Sequence, residues 1–320
     1  MSTATKLSEF ASDTLMGLTA NQKFLHPKYF YDDNGSRIFQ KIMRMPEYYP
    51  TDSELEIFSD QSSEISKAIA ENNDFFDIIE LGPGDGLKSG ILLKNMVKIN
   101  KDFTYIPVDI SRQALRDLVK KLNAELPELA VHEAAGDYFH VMHNLRQGNG
   151  KPKVILFLGS NIGNFSENER KDFLQQLSEI TAPGDKLLLG IDLKKSPGVI
   201  INAYNDPHGY TRDFNLNHLT RINREMDADF QIDEFEHHAS YDPVSGAAKS
   251  YLVSKKPQKV NLGVTGTEIL FRQWESIFME LSQKFDPDDI EKMAIDAGFV
   301  VKKNFTDRKN YFADSLWERK

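Results

Sequence analysis

From Phe76 onward the chain alternates short apolar runs with amphipathic stretches, and no other feature restricts its fold as tightly. "FFDIIELG" has the apolar density of a buried strand, and "LKSGILLKNMVKIN" carries apolar residues at helical spacing. The pattern then repeats: strand "DFTYIPVDIS", helix "RQALRDLVKKLNAEL", a third strand expected in "AVHEAAGDY" and a fourth in "KVILFLGSNIGNF". The helix "NERKDFLQQLSEITA" follows, and a fifth strand, "PGDKLLLGIDL", is entered through a Pro-Gly-Asp turn. Strands separated by helices do not pair as hairpins; each returns in the same direction after a crossover. The alternation therefore specifies a parallel sheet with helices on both faces, a doubly wound α/β domain.

The carboxyl end adds a second constraint. "DPDDIEKMAIDAGF" reads as a helix with aspartates where the dipole favours negative charge and a glycine at its stop. "FVVKKNFTD" and "YFADSLWERK" read as two strands joined by the short turn "DRKN". A helix and hairpin added to five parallel strands can close the sheet with an antiparallel edge. That arrangement resembles the Rossmann-like class I methyltransferase fold more than a six-stranded dinucleotide fold. Two segments lie outside the alternation. Residues 1–59 look helical, with the loop "HPKYFYDDNGSR" and the proline-bounded "PEYYP"; residues 196–279 include helical "TRDFNLNHLTRINREM" and a strand pair around "ASYDPVSGAAKSYLVSK". Neither shows a clear core of its own. They are expected to pack together as a smaller, lid-like substrate-binding domain, 1–59 plus 196–279, beside a cofactor-binding domain of 60–195 plus 280–320.

Composition narrows the chemistry. The chain has no cysteine, which removes disulfides, thiolate metal sites and cysteine nucleophiles. Its formal charge of −9 argues against nucleic acid, whose binding rests on clustered Lys and Arg. The eight histidines show no metal-ligand spacing, so no metal is expected. His237 and His238 are adjacent and in a strand would point to opposite faces, one packed and one solvated. No run approaches the roughly 18 apolar residues of a membrane span, and "MSTATKLSEFASDTL" lacks the apolar centre of a secretory signal. The expectation is a cytoplasmic monomer whose partner is a small molecule, with neither nucleic acid nor membrane.

"IIELGPGDGLKSG" sets alternating glycines, Gly82, Gly84 and Gly86, between a strand and a helix. There they let the backbone turn sharply and approach a ligand without Cβ clashes. A dinucleotide would leave its pyrophosphate on the helix amino terminus. Glu80, just before the glycines, is placed to meet a cationic amino group instead. Asp109 ends the second strand, where a carboxylate can accept from ribose hydroxyls. Asp137 follows the third strand, where an adenine amino group needs an acceptor, and Tyr138 can supply a ring face; a turn cap after Gly136 is the plainer role for Asp137. Lys88 opens the first helix and by default is a solvated lysine. Together these positions favour S-adenosylmethionine as cofactor.

"KYFYDDNGSRIFQKIMRMPEYYPTDSE", "IELGPGDGLKS", "YIPVDIS", "LFLGSNIGNF" and "FMELSQKF" resemble, in order and spacing, the histidine-specific Nα-methyltransferases, which make hercynine, the trimethylated histidine of ergothioneine biosynthesis. The resemblance covers nearly the whole chain. It implies that Gly82, Lys88, Asp109, Asp137 and Tyr138 contact the cofactor. It implies that Tyr31, Tyr48, Gly159, Asn164 and Tyr204 surround the amino acid's amine and carboxylate, and that Glu280 and Ser282 recognise the imidazole. Ser250 stands where some relatives place a larger apolar residue against the substrate ring. Read without the resemblance, Asn164 lies just past a strand's carboxyl end, where open α/β sheets bind ligands, and can instead serve as a helix cap, as can Ser166. Tyr31 and Tyr204 taken alone read as packing residues, and only one of Tyr48 and Tyr49 is expected to face a pocket. Glu280, in an apolar run, needs a partner if buried, and an imidazole N–H is one. Tyr31 and Asn164 are the residues expected to place the reacting amine. The rival readings are a non-catalytic nucleoside-binding module, a related enzyme for another amino acid or a tryptophan-derived amine, and a nicotinamide dehydrogenase.

Overall fold

The computed structural model describes residues 7–71, 75–99, 102–136, 138, 141 and 150–320. The chain divides into two compact units: Pro50–Lys194 with Gln283–Lys320, and Met1–Tyr49 with Lys195–Ser282. On this division Glu280 and Ser282 fall in the smaller unit and residues 50–59 in the larger one, whereas the sequence reading had each on the other side.

In the larger unit, β1 (Phe75–Leu81), β2 (Asp102–Asp109), β5 (Lys153–Phe157) and β6 (Lys186–Asp192) run parallel in the order β6-β5-β1-β2. Both faces of β1 are covered, so it reads as a continuous apolar run rather than an alternation. Phe76 and Ile78 enter one core with residues of α3 (Tyr49–Ala70), α4 (Leu87–Lys98) and α5 (Arg112–Glu125). Ile79 and Leu81 enter the other with α6 (Glu167–Ile180) and α9 (Pro287–Asp296). The fold is the doubly wound α/β sheet expected.

The expected third strand is split. Ala130–Val131 (β3) and Ala134–Ala135 (β4) pair separately with β2, and His132 and Glu133 interrupt them. Alanines bury little area, and Val131 alone is β-branched, so "AVHEAA" sustains no longer ladder. At the carboxyl end, β12 (Phe299–Thr306) and β13 (Phe312–Arg319) form the expected antiparallel hairpin. β13 inserts between β12 and β6, antiparallel to both, so the reversed strand lies one place in from the edge. α9 begins with Pro287 behind a capping box made by Asp286 and Asp289.

The smaller unit holds α1 (Glu9–Thr19), α2 (Asp33–Ile42), α7 (Pro197–Tyr204) and α8 (Tyr210–Met226) with a three-stranded sheet. Its order is β11 (Ser276–Gln283), β8 (Ala247–Ser254), β7 (Phe235–Asp242). A hairpin, β9 (Gln258–Leu262) and β10 (Thr267–Phe271), completes it. The unit has one core, to which both segments contribute: Phe10, Leu18 and Phe30 pack with Phe214, Leu252 and Met279. Neither segment shows it alone because half of it comes from each. On β7, His237 is half-buried and His238 exposed, the division expected of neighbours in a strand.

One buried cation ties α3 to the sheet. Lys186, at the start of β6, is 1% exposed, and its Nζ donates to the carbonyls of Ala68 (3.0 Å), Ile69 (2.8 Å) and Glu71 (2.8 Å) at the end of α3. Burial lowers its pKa, while the negative end of the helix favours the charge. Lys186→Met should leave these carbonyls unpaired and cost about 3 kcal/mol in urea unfolding. A loss below about 1 kcal/mol would show the anchor to be dispensable.

Candidate active site

After β1 the backbone turns through Gly82 (φ +69°), Gly84 (φ +58°) and Gly86 (φ +65°), a left-handed region that side chains rarely adopt. The three glycines are not equivalent. A Cβ at Gly82 would lie 2.5 Å from the Tyr138 hydroxyl, and one at Gly86 would lie 2.2 Å from Leu118 Cδ1. A Cβ at Gly84 would meet nothing within 4 Å. The loop is packed at both ends and open in the middle, a cradle suited to a ligand approaching the backbone. Gly82 N–H donates to Val108 (2.9 Å), which ties the loop to the end of β2. There Asp109 is half-buried, and its Oδ1 accepts from Ser111 N–H (2.8 Å). Tyr138 is half-buried beside Gly82. Asp137 lies outside the described residues.

Glu80 faces elsewhere. It shares the sheet face of Phe76 and Ile78, is 3% exposed, and accepts a short hydrogen bond from the Tyr105 hydroxyl. Burial raises its pKa, opposed by Tyr105 and by the positive charge of Lys88. Its carboxylate is thus partnered from within the unit.

β5 ends in a second sharp turn, Gly159 (φ +77°) and Ser160 (φ +57°), followed by a 3₁₀ turn at Asn161–Asn164. Asn164 is exposed at its end. The plainer role for it falls away, because Ser166 and Glu169 form the capping box of α6. Gly159 N–H donates to Glu54 Oε1 (2.7 Å), and Lys88 pairs with Glu54 Oε2. Burial would lower the pKa of Lys88, but Glu54 raises it. The sequence reading missed Glu54. The signal was available: an acid on the helical face of Ile57 and Phe58, both fully buried.

Five further residues come together in the smaller unit. The Tyr31 ring, about half exposed (49%), stands edge-on to Phe39 (5.4 Å) and Phe214 (5.5 Å). Phe39 meets Tyr48 (6.2 Å), and Tyr48 meets Tyr204 (6.5 Å). The Tyr204 hydroxyl donates to Ser282 Oγ (2.7 Å). Glu280, half-buried two residues before Ser282 on β11, acts on Tyr31: burial raises the phenol's pKa, and the charges of Glu280 and Tyr204 push the same way. Tyr49, by contrast, is buried with the Lys195 ammonium 4.0 Å from its ring centroid. Ser250 is buried on β8 opposite Ala239.

Residues 10–319 match the sequence model of the S-adenosylmethionine-dependent, histidine-specific methyltransferases. The chain belongs to this family. It is 35% identical to a histidine Nα-methyltransferase of Mycolicibacterium smegmatis, over 95% of this chain and 93% of that one. It is 28% identical to ergothioneine biosynthesis protein 1 of Neurospora crassa, over 88% of this chain and 32% of that one. A 4-dimethylallyltryptophan N-methyltransferase of Claviceps purpurea is 25% identical, over 89% and 87%. The protein is thus an S-adenosylmethionine-dependent methyltransferase, and the glycine cradle, Asp109 and Tyr138 fit that cofactor.

Asp109→Ala should weaken S-adenosylmethionine binding by about 10- to 150-fold, the worth of a hydrogen bond to a charged acceptor. Calorimetric titration of the folded variant checks this; an unchanged dissociation constant would remove Asp109 from the cofactor site.

Proposed function

We propose that the chain methylates the α-amino nitrogen of L-histidine, up to the trimethyl product hercynine, as a step of ergothioneine biosynthesis. The observation that carries this reading is the grouping of Tyr31, Tyr48, Tyr204, Glu280 and Ser282 in one unit, with Ser282 bonded to Tyr204. Glu280 can accept from one imidazole N–H. Ser282, which accepts from Tyr204, has the hydroxyl chemistry to bond the other ring nitrogen. Indole has one donor and no ring acceptor, so it would leave Ser282 unanswered. The family match and the first relative's name support the same substrate. We place the activity in the cytoplasm, since a chain without cysteine needs no oxidising compartment. Among the described residues no helix is long and apolar enough to cross a membrane.

Gly82, Gly84, Lys88, Asp109 and Tyr138 would hold S-adenosylmethionine, and the family resemblance adds Asp137 to that set. When bound, it supplies a methyl group on a cationic sulfur that leaves readily. The protein's own work is then placement, which accounts for much of the barrier in such displacements. In the smaller unit Tyr31 would orient the amine with its lone pair free, Tyr48 and Tyr204 would bind the amino acid's polar end, and Glu280 and Ser282 would fix its ring; the family resemblance assigns Asn164 to the amine and Gly159 to the polar end. Tyr31 stays protonated at neutral pH, because its pKa is raised above the ordinary value. Its hydroxyl therefore works as a neutral dipole and takes no proton from the amine.

Incubating the protein with S-adenosylmethionine and an amino acid mixture, then analysing products by mass spectrometry, tests the substrate directly. Glu280→Ala should lower kcat/KM for histidine by about 10- to 150-fold and relax discrimination against tryptophan, because a site that loses its carboxylate acceptor loses its means of rejecting apolar rings. Competition for labelled methyl groups reads both effects at once. A parent that ignores histidine, or a variant that keeps its full preference, would sink the assignment.

A further inference from the structure

Glu54 of α3 reaches two loops that leave different strands. Its Oε1 accepts Gly159 N–H (2.7 Å), at the turn after β5, and its Oε2 pairs with Lys88, on the helix after β1. The carboxylate is 1% exposed. Room for it exists because Gly190 of β6 is bare: a Cβ there would stand 2.5 Å from Glu54 Oε1 and 2.9 Å from Gly159 N. Asp314 of β13, the register partner of Gly190, is fully buried, and neither carboxyl oxygen has a hydrogen-bond partner among the described residues. Burial, then the charge of Glu54, raises its pKa well above the usual carboxylate range.

We propose that Glu54 is a positioning residue that couples Lys88, on the cofactor side, to the Gly159 turn, on the amino acid side, through one buried carboxylate. Its two oxygens cannot move independently, so a shift of Lys88 toward or away from a bound cofactor is passed to the Gly159 amide. Gly190 keeps the space clear for that carboxylate.

The inference rests on the reading that Lys88 meets the cofactor and Gly159 the amino acid, and three variants separate the two. Lys88→Met tests that reading: an unchanged cofactor dissociation constant would refute it, whatever Glu54 does. Glu54→Gln keeps an oxygen for Gly159 N–H but turns an amide NH₂ toward the Lys88 ammonium, donor against donor. It should raise the cofactor dissociation constant about tenfold while histidine KM moves less than about threefold. Glu54→Ala loses both contacts and should raise both constants about tenfold. If Lys88→Met weakens the cofactor but Glu54→Gln binds within twofold of the parent, Glu54 does not act through Lys88. If Glu54→Ala lowers only the melting temperature, its role is structural. Amide exchange in the parent decides the matter even where Glu54 variants fail to fold. The Gly159 N–H should be protected and exchange more slowly once S-adenosylmethionine is added; a fast amide, or one indifferent to cofactor, overturns the coupling.

Discussion

The site depends on a reversal in strand order. β1 is followed by α4 and then β2 on one side of it, whereas β5, on its other side, is followed by α6 and then β6. The chain therefore leaves these two neighbours in opposite directions, and the carboxyl ends of the strands part to form a crevice. Both irregular turns sit there: Gly82–Gly86 after β1 and Gly159–Asn164 after β5. A parallel sheet with another order would not set a glycine cradle and a polar turn side by side. The left-handed glycines follow from this, since each loop must leave a strand and enter a helical turn within a few residues.

A crevice made by diverging loops has no backbone ladder across it, and buried charges supply what the ladder cannot. Lys284 and Asp192, 0% and 1% exposed, pair at 2.6 Å where β6 ends. The Asp192 N–H donates to Ser160 Oγ (3.0 Å), and Gly163 packs so closely on Gln283 that a Cβ would lie 2.7 Å from its carbonyl. With Glu54 on Gly159, the turn after β5 is gripped along its length. Taking such groups out of water is costly, and apolar residues of like volume can stabilise a fold as well or better. What an apolar contact lacks is direction. A carboxylate held to one amide and one ammonium has a single place to be, and it fixes the turn in a way apolar packing would not.

The sheet was legible because its signal is local: each strand and helix declares itself within about a dozen residues. The glycine cradle was legible for the same reason. The core of the smaller unit was not, since Phe10 and Phe30 meet Phe214 and Met279 only after some 200 residues of intervening chain. The hairpin of β9 and β10 went unread although "GVTG" between "QKVNL" and "TEILF" is a fair turn signal. Among site residues, the composition of "FMELSQKF" showed that Glu280 would need a partner. It did not show that Tyr31, far away in sequence, would feel its charge. Glu80 went the other way: its place before the glycines suggested a ligand, but strand alternation turned it toward Tyr105.

That field at Tyr31 bears on the proposed reaction as a whole. Methyl transfer to an amine leaves the nitrogen positively charged, and a trimethylated nitrogen keeps its charge for good. A site that made Tyr31 anionic would gain a base but would also bind the product tightly through a direct ion pair. Burial and the negative charge of Glu280 oppose a phenolate, so Tyr31 offers the nitrogen only an oxygen lone pair and an O–H. The same negative charge that disfavours tyrosinate is favourable to a cation nearby. On the proposed reading Glu280 therefore acts twice. It accepts a hydrogen bond from the ring that identifies the substrate, and it adds to burial, the larger cause, in opposing a phenolate at Tyr31.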